Sequence, residues 1–326
     1  MQYLRPRRNR KSLAVRSMVQ ENIVTPKDLL APLFVIEGQK VRQEIASMPG
    51  QARLSIDFLI EEAKELYDLG VPCIAIFPAI EASLKNPMAS EALNPNGLYP
   101  RALRAVKEAV PGLAIMTDIA LDPYNSDGHD GLVDPHTGEI KNDETLKILA
   151  QMAILQADCG ADILGPSDMM DGRVAAIREA LEEKGYHHTS IMSYTAKYAS
   201  SFYGPFRDAL DSAPKAGDKK TYQMNPANVR EALLEMKLDE AEGADILMVK
   251  PGLPYLDVIK TLRENTELPI AAYNVSGEYA MVKAASERGW IDHDRAMLEL
   301  LLSFKRAGAD IILTYFAKEA AKLIIS

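Results

Sequence analysis

Cysteine is scarce: only Cys73 and Cys159 occur in 326 residues. Each lies beside an apolar run read as a strand. So thin a supply cannot build a disulfide framework, and the expectation is two buried free thiols in a reducing compartment, the cytoplasm. Long apolar runs are also missing. None reaches the ~20 residues that a helix needs to cross a bilayer. The start lacks the basic, apolar and small-residue order of a secretory signal. No membrane association is expected. Positive charge is not in excess either; the formal net charge is −9, which argues against general nucleic-acid binding. What is present is ordinary for a globular chain, 47% apolar and 25% charged. The length suits one α/β barrel, which runs to ~250 residues before insertions.

The first twenty residues depart from this balance. Arg5, Arg7, Arg8, Arg10, Lys11 and Arg16 precede the first acid. A solvated tail and an arm that packs on another subunit both fit. A targeting peptide fits less well, because RPRRNRK bunches its charge instead of spreading it along a helical face.

An internal echo organises the rest. GADIL occurs at 160–164 and 243–247, and GADII at 308–312. Each follows a helical pattern and opens an apolar run. Glycine is favoured just past a helix C-terminus because it takes positive φ without strain. The unit is therefore helix, glycine stop, buried strand. Strands are expected at 32–38, 73–79, 113–121, 162–168, 188–196, 245–251, 270–277 and 310–317. They are continuous apolar runs, as in parallel strands covered on both faces. Helices are expected at 55–69, 100–109, 143–159, 171–184, 226–241, 254–264, 277–288 and 293–306, with Asn225 as N-cap and Pro226 in the first turn of the fifth. Eight strands alternating with eight helices indicate a (β/α)8 TIM barrel over residues 26–326. A doubly wound sheet is the alternative; no Gly-rich turn follows the first strand, which weakens a dinucleotide-binding version.

Two connections, 122–142 and 197–225, exceed what a barrel needs. Both follow C-terminal strand ends, where barrel enzymes build their sites. The strand ends carry Asp118 and Asp122, Ser167 and Asp168, Lys197, Lys250, Ser276 and Tyr315. Singly, each has a bland reading: a snorkelling cation or a helix cap. Together on one face they point to chemistry. Lys197 and Lys250 end consecutive strands, and neighbouring strands lie ~4.8 Å apart. Repulsion and desolvation both lower a lysine pKa, leaving the neutral amine that a Schiff-base nucleophile needs. Arg207 and Lys219 lie in the second long loop, with Phe202, Tyr203 and Phe206, and suggest an anion-binding lid. Ser276-Gly277 stands at a helix start, where free N–H groups suit a carboxylate. On the fifth helix, Glu231, Glu235 and Asp239 recur at intervals of four. Arginine, a hard cation such as Mg²⁺, or plain solvent would each relieve them. In the first long loop Asp118, Asp122, Asp127, Asp130 and His129 either hold Mg²⁺ or form a polar turn, and no cysteine is near to make a thiolate zinc site.

SMPGQARLSID (47–57), PSDMMDGRV (166–174), SYTAKYASSFYGPFRDA (193–209), TYQMNPAN (221–228), MVKPGLPYLD (248–257), NVSGEYAM (274–281) and ILTYFA (312–317) resemble the signatures of the porphobilinogen synthase, or 5-aminolevulinate dehydratase, family. So does RPRRNRKS at the start. The resemblance covers nearly the whole chain. It implies condensation of two 5-aminolevulinate molecules to porphobilinogen with loss of two waters, on the way to haems and chlorophylls. By the same resemblance, Lys197 and Lys250 are the Schiff-base lysines. Arg207, Lys219 and Gln223 clamp one substrate carboxylate, and Ser276 and Tyr315 take the other. Asp118 and Ser167 serve the amine and proton transfers, and Glu235 binds an allosteric Mg²⁺. Zinc-dependent members carry three cysteines where this chain has Ala120, Asp122 and Asp130, so no zinc is expected, nor any organic cofactor. A homo-octamer gripped by arms of residues 1–25 is implied. The rivals are a class I aldolase, which needs one such lysine, and a barrel kept only for assembly.

Overall fold

The computed structural model describes residues 3–210 and 214–325. Met1 and Gln2 of the expected arm, residues 211–213 of the expected lid and Ser326 lie outside them. Eight parallel strands form a closed ring: β1 Leu29–Val35, β2 Cys73–Pro78, β3 Ala114–Ile119, β4 Ile163–Pro166, β5 Ser190–Lys197, β6 Ile246–Lys250, β7 Ile270–Asn274 and β8 Ile311–Thr314. Closure is direct, since Leu29 and Leu30 of β1 pair with Ile312 and Leu313 of β8. A short antiparallel ribbon, Arg42–Glu44 with Ala52–Leu54, extends from β1.

Helices α1 Ile56–Asp68, α2 Leu98–Ala109, α3 Asn142–Asp158, α4 Arg173–Lys184, α5 Arg230–Ala241 and α6 Leu256–Arg263 follow the first six strands in turn. Two helices, α7 Ser276–Glu287 and α8 His293–Ala307, separate β7 from β8, and α9 Ala317–Ile325 completes the ring. The expected count of eight thus paired α7 and α8 with different strands and missed α9. Periodicity explains the helix packing: Met297, Leu300, Leu301 and Phe304 of α8 fall at helical spacing and are all buried.

The GAD repeat gains a second role in three dimensions. Gly160, Gly243 and Gly308 have φ of 93°, 99° and 114°, so each is a left-handed helix stop. The aspartate two residues on stitches the barrel floor. Asp162, Asp245 and Asp310 accept the N–H of Ile115, Ile191 and Ile270 on the neighbouring strand at 2.8, 2.7 and 2.8 Å. Each also pairs with a basic side chain: Lys107, Arg178 and Arg263 respectively.

The expected start of α5 is corrected. The helix begins at Arg230, and the Asn225 carbonyl side-chain oxygen instead accepts from Ala227 N–H in a separate turn. Met224 is the cause: its N–H donates to Lys197 O at 2.9 Å and its carbonyl accepts from Ala199 at 2.8 Å. That bridge holds the chain extended up to Asn225. The N-terminal segment makes one turn at Pro6–Arg10 and a helix at Leu13–Met18, neither of which buries a side chain.

Candidate active site

The two lysines at the ends of β5 and β6 are direct register partners, Lys250 opposite Lys197. Both are buried. Their surroundings differ. Lys250 Nζ lies 4.5 Å from the ring centre of Tyr273, 5.0 Å from Tyr194, 5.1 Å from Phe206 and 5.4 Å from Tyr203. Burial, then the charge of Lys197, pull its pKa down to about 7 from the ordinary 10.5. Lys197 Nζ donates to the Ser167 carbonyl and stands 3.6 Å from Asp130.

Lys219 reaches in from the second long loop. Its Nζ lies 3.3 Å from Asp122 and 3.2 Å from Asp130. Burial pulls its pKa down, but the two aspartates outweigh burial and hold it above the ordinary value. Asp130 is held well below the usual carboxylate range: burial alone would raise it, and Lys197 and Lys219 reverse that. Both Asp122 and Asp130 are therefore engaged by lysines. Asp118, on β3, goes the other way: burial and then Asp122 push it up to about 6, against the pull of Lys250, Lys197 and the Ser167 hydroxyl. It is a carboxyl poised to exchange a proton near neutrality.

The remaining expected residues fall around this pair. Gln223 is buried, its N–H donates to Lys219 O at 2.8 Å, and its side-chain carbonyl is buried without a partner. Arg207 is half-buried on the short helix Gly204–Leu210, and its charge is felt at Lys219. Ser276, the first residue of α7, accepts from the Phe206 N–H at 3.0 Å, tying the short helix Gly204–Leu210 to the far wall. The Tyr315 hydroxyl meets that of Tyr273 at 3.0 Å. Glu235 is not part of this cluster. It lines a separate cleft of 730 Å³ with Glu231, Asp171 and Tyr222. Burial and then neighbouring acids, opposed by Arg173, bring its carboxyl up to about 7. Asp239 on the same helix is relieved by Arg173, 3.4 Å away, so only part of that acidic face is open to an ion. Among the described residues no three His, Cys, Asp or Glu side chains are grouped to hold a metal.

Two features escaped the sequence. Tyr194 and Tyr273 read as strand core, yet they form half the cage around Lys250. His129 is buried and joins the two long loops: its ring nitrogens meet the Tyr222 hydroxyl at 3.0 Å and the Ala216 carbonyl at 3.1 Å. Lys215 N–H adds a bond to Asp127 O at 3.0 Å. Those partners lie 87 and 93 residues from His129, so no local pattern reveals them.

A closed parallel barrel with paired buried lysines and a cluster of polar side chains at its C-terminal mouth defines a barrel enzyme fitted for amine–carbonyl chemistry. Comparison narrows the class. The family model described as "Delta-aminolevulinic acid dehydratase" matches residues 3–323. The chloroplastic delta-aminolevulinic acid dehydratase of Glycine max is 59% identical over 98% of this chain and 77% of its own length. That of Bradyrhizobium diazoefficiens is 55% identical over 98% of this chain and 90% of its own. The crystal structure of the Toxoplasma gondii enzyme, solved with its reaction product porphobilinogen, superposes with a TM-score of 0.98 at 56% identity, covering 99% of this chain and 92% of that one. The chain belongs to the delta-aminolevulinic acid dehydratase family and is an enzyme of it. The aldolase QR15, at 12% identity and a TM-score of 0.50, shares the fold alone. The cytoplasmic location expected from free thiols is corrected: the relatives from soybean, Physcomitrium patens and rice are named chloroplastic. Free cysteines report a reducing environment, which more than one compartment provides.

Proposed function

We propose that the enzyme condenses two molecules of 5-aminolevulinate to porphobilinogen, with loss of two waters, through imines on Lys250 and Lys197. The pairing of the two amines across adjacent strands carries the reading. Lys250, lowered to about 7, offers a neutral amine to the ketone carbon of one molecule; water leaves and the imine forms. The second molecule forms its imine on Lys197, and a second water leaves. Loss of a proton beside one imine gives an enamine, whose carbon makes the C–C bond. An amine then attacks the other former carbonyl carbon, the ring closes, the lysines are released, and proton loss makes it aromatic. The imine is the electron sink, so no organic cofactor is called for. Asp118 and Ser167 lie where protons move. Arg207, Lys219 and Gln223 take one substrate carboxylate, and Ser276 and Tyr315 the other.

Glu235 is the ligand for an allosteric Mg²⁺. The ion is satisfied by one or two carboxylates and several waters. The roomy cleft and a carboxyl held up to about 7 by burial and acidic neighbours fit such a cation. Zinc has no part, since Ala120, Asp122 and Asp130 offer no thiolate. The arm of residues 1–25 packs on a neighbouring copy in a homo-octamer. Its support is apolar exposure: Leu4, Leu13 and Met18 are 90%, 72% and 85% exposed in the single chain.

The deciding experiment incubates the enzyme with 5-aminolevulinate alone, with and without Mg²⁺. Porphobilinogen is read by its colour with an aldehyde reagent. Absence of pyrrole in both arms sinks the reading.

A further inference from the structure

We propose that Glu278 is a positioning residue, whose carboxyl ties the turn after Lys250 to the helix start that carries Ser276. This rests on the roles proposed for Lys250 and Ser276. Glu278 is fully buried at the third position of α7. What surrounds its carboxyl is N–H groups, not a cation. Oε1 accepts from Leu253 N–H at 3.1 Å, and Oε2 from the Asn274 side-chain amide at 2.6 Å. The bond from Asn274 serves the start of the helix. The bond from Leu253 serves something else. Leu253 follows Lys250-Pro251-Gly252, and Gly252 N–H donates to Tyr273 O at 2.7 Å, so the two bonds fix the turn at the end of the strand that aims the amine. The chain of bonds continues: Asn274 Oδ1 accepts from the Thr314 hydroxyl at 2.7 Å, beside Tyr315. One carboxyl thus sets the amine of Lys250 and the Ser276–Tyr315 carboxylate seat in a fixed relation. A buried carboxyl without a cation is costly, and helix capping alone would not need one to reach a second loop.

The test pairs variants with reversed hydrogen-bond direction. Glu278→Gln puts an amide donor where the Asn274 amide also donates. It is expected to lower kcat/KM for 5-aminolevulinate by roughly ten- to a hundredfold, the scale of a misplaced reacting group. Borohydride trapping at Lys250, located by peptide mass spectrometry, slows in step. Adding Asn274→Asp restores an acceptor opposite the new donor and recovers most of both. Glu278→Asp keeps a carboxyl but falls a methylene short of Leu253; it slows trapping with Tm held, and answers the question should the glutamine variant not fold. A purely structural role predicts lower Tm with unchanged trapping and turnover per folded molecule, and that result overturns the proposal. So does a double variant that regains Tm without trapping. Lys250→Ala, run in parallel, loses turnover; if porphobilinogen formation survived it, the underlying reading would fail, whatever the Glu278 variants do.

Discussion

The two lysines at the barrel mouth share a residue type, a register and a depth, yet occupy opposite environments. Around Lys250 the wall is four aromatic rings, and among the described residues no carboxylate pairs with it. Around Lys197 it is ionic, with Asp130 3.6 Å away and Lys219 and Asp122 beyond. Desolvation without compensation disfavours an ammonium, whereas a buried carboxylate stabilises one. One half of the site sets its amine among rings. The other sets its amine among fixed charges, next to the Lys219 that reaches in from the second long loop.

The largest expected effect breaks the dry half outright. Lys250→Ala should lower kcat by about 10⁴-fold or more, the scale seen when a covalent nucleophile is removed. Steady-state turnover and the missing borohydride label would show it; normal turnover would end the contrast. Next, Asp130→Asn attacks the ionic half by removing the buried carboxylate between Lys197 and Lys219 and leaving Lys219 with Asp122 alone. A stability loss of roughly 3–5 kcal/mol in urea denaturation is expected. An unchanged midpoint would mean that the lysines find other partners.

A subtler change sharpens the contrast. Lys250 is protonated and unreactive below about 7, so trapping should rise with pH through that value. Phe206→Ser admits water to the cage and should move the rising limb upward by about one pH unit, equivalent to ~1.4 kcal/mol of recovered solvation. The same variant should leave the pH response of Asp130 unaltered. The smallest effect lies outside both halves. Glu235→Gln should abolish activation by added Mg²⁺ and leave the rate without Mg²⁺ within about twofold, as a distant surface-cleft change would. A large drop in the metal-free rate would place Glu235 in the site itself.

Much of this was legible in the chain. Continuous apolar runs and the GAD repeat located all eight strands, because parallel strands buried on both faces leave that imprint. The strand-end lysines could be paired before any coordinates, because strand order and length fix which residues are neighbours. What failed to show has a common cause. Tyr194 and Tyr273 look like core because they are core; their second use depends on what stands above them. Asn225-Pro226 has the chemistry of a helix start, but Met224 is bridged to Tyr198 and the tertiary bonds win. The His129–Tyr222 latch joins two long loops, and loops carry no period from which a partner could be inferred.

The register between Lys197 and Lys250 has a wider consequence. An irregularity between Leu247 and Val249 sets it: continued from Leu247 opposite Ser193, the register would put Lys250 opposite Ala196, and side chains alternate faces with a period of two. No partial version of the pair exists. The rungs of the sheet, about 4.8 Å apart, therefore act as a ruler for the two bound molecules. The gauge that decides which atoms meet is the backbone itself, the part of a protein least easily altered by exchanging side chains.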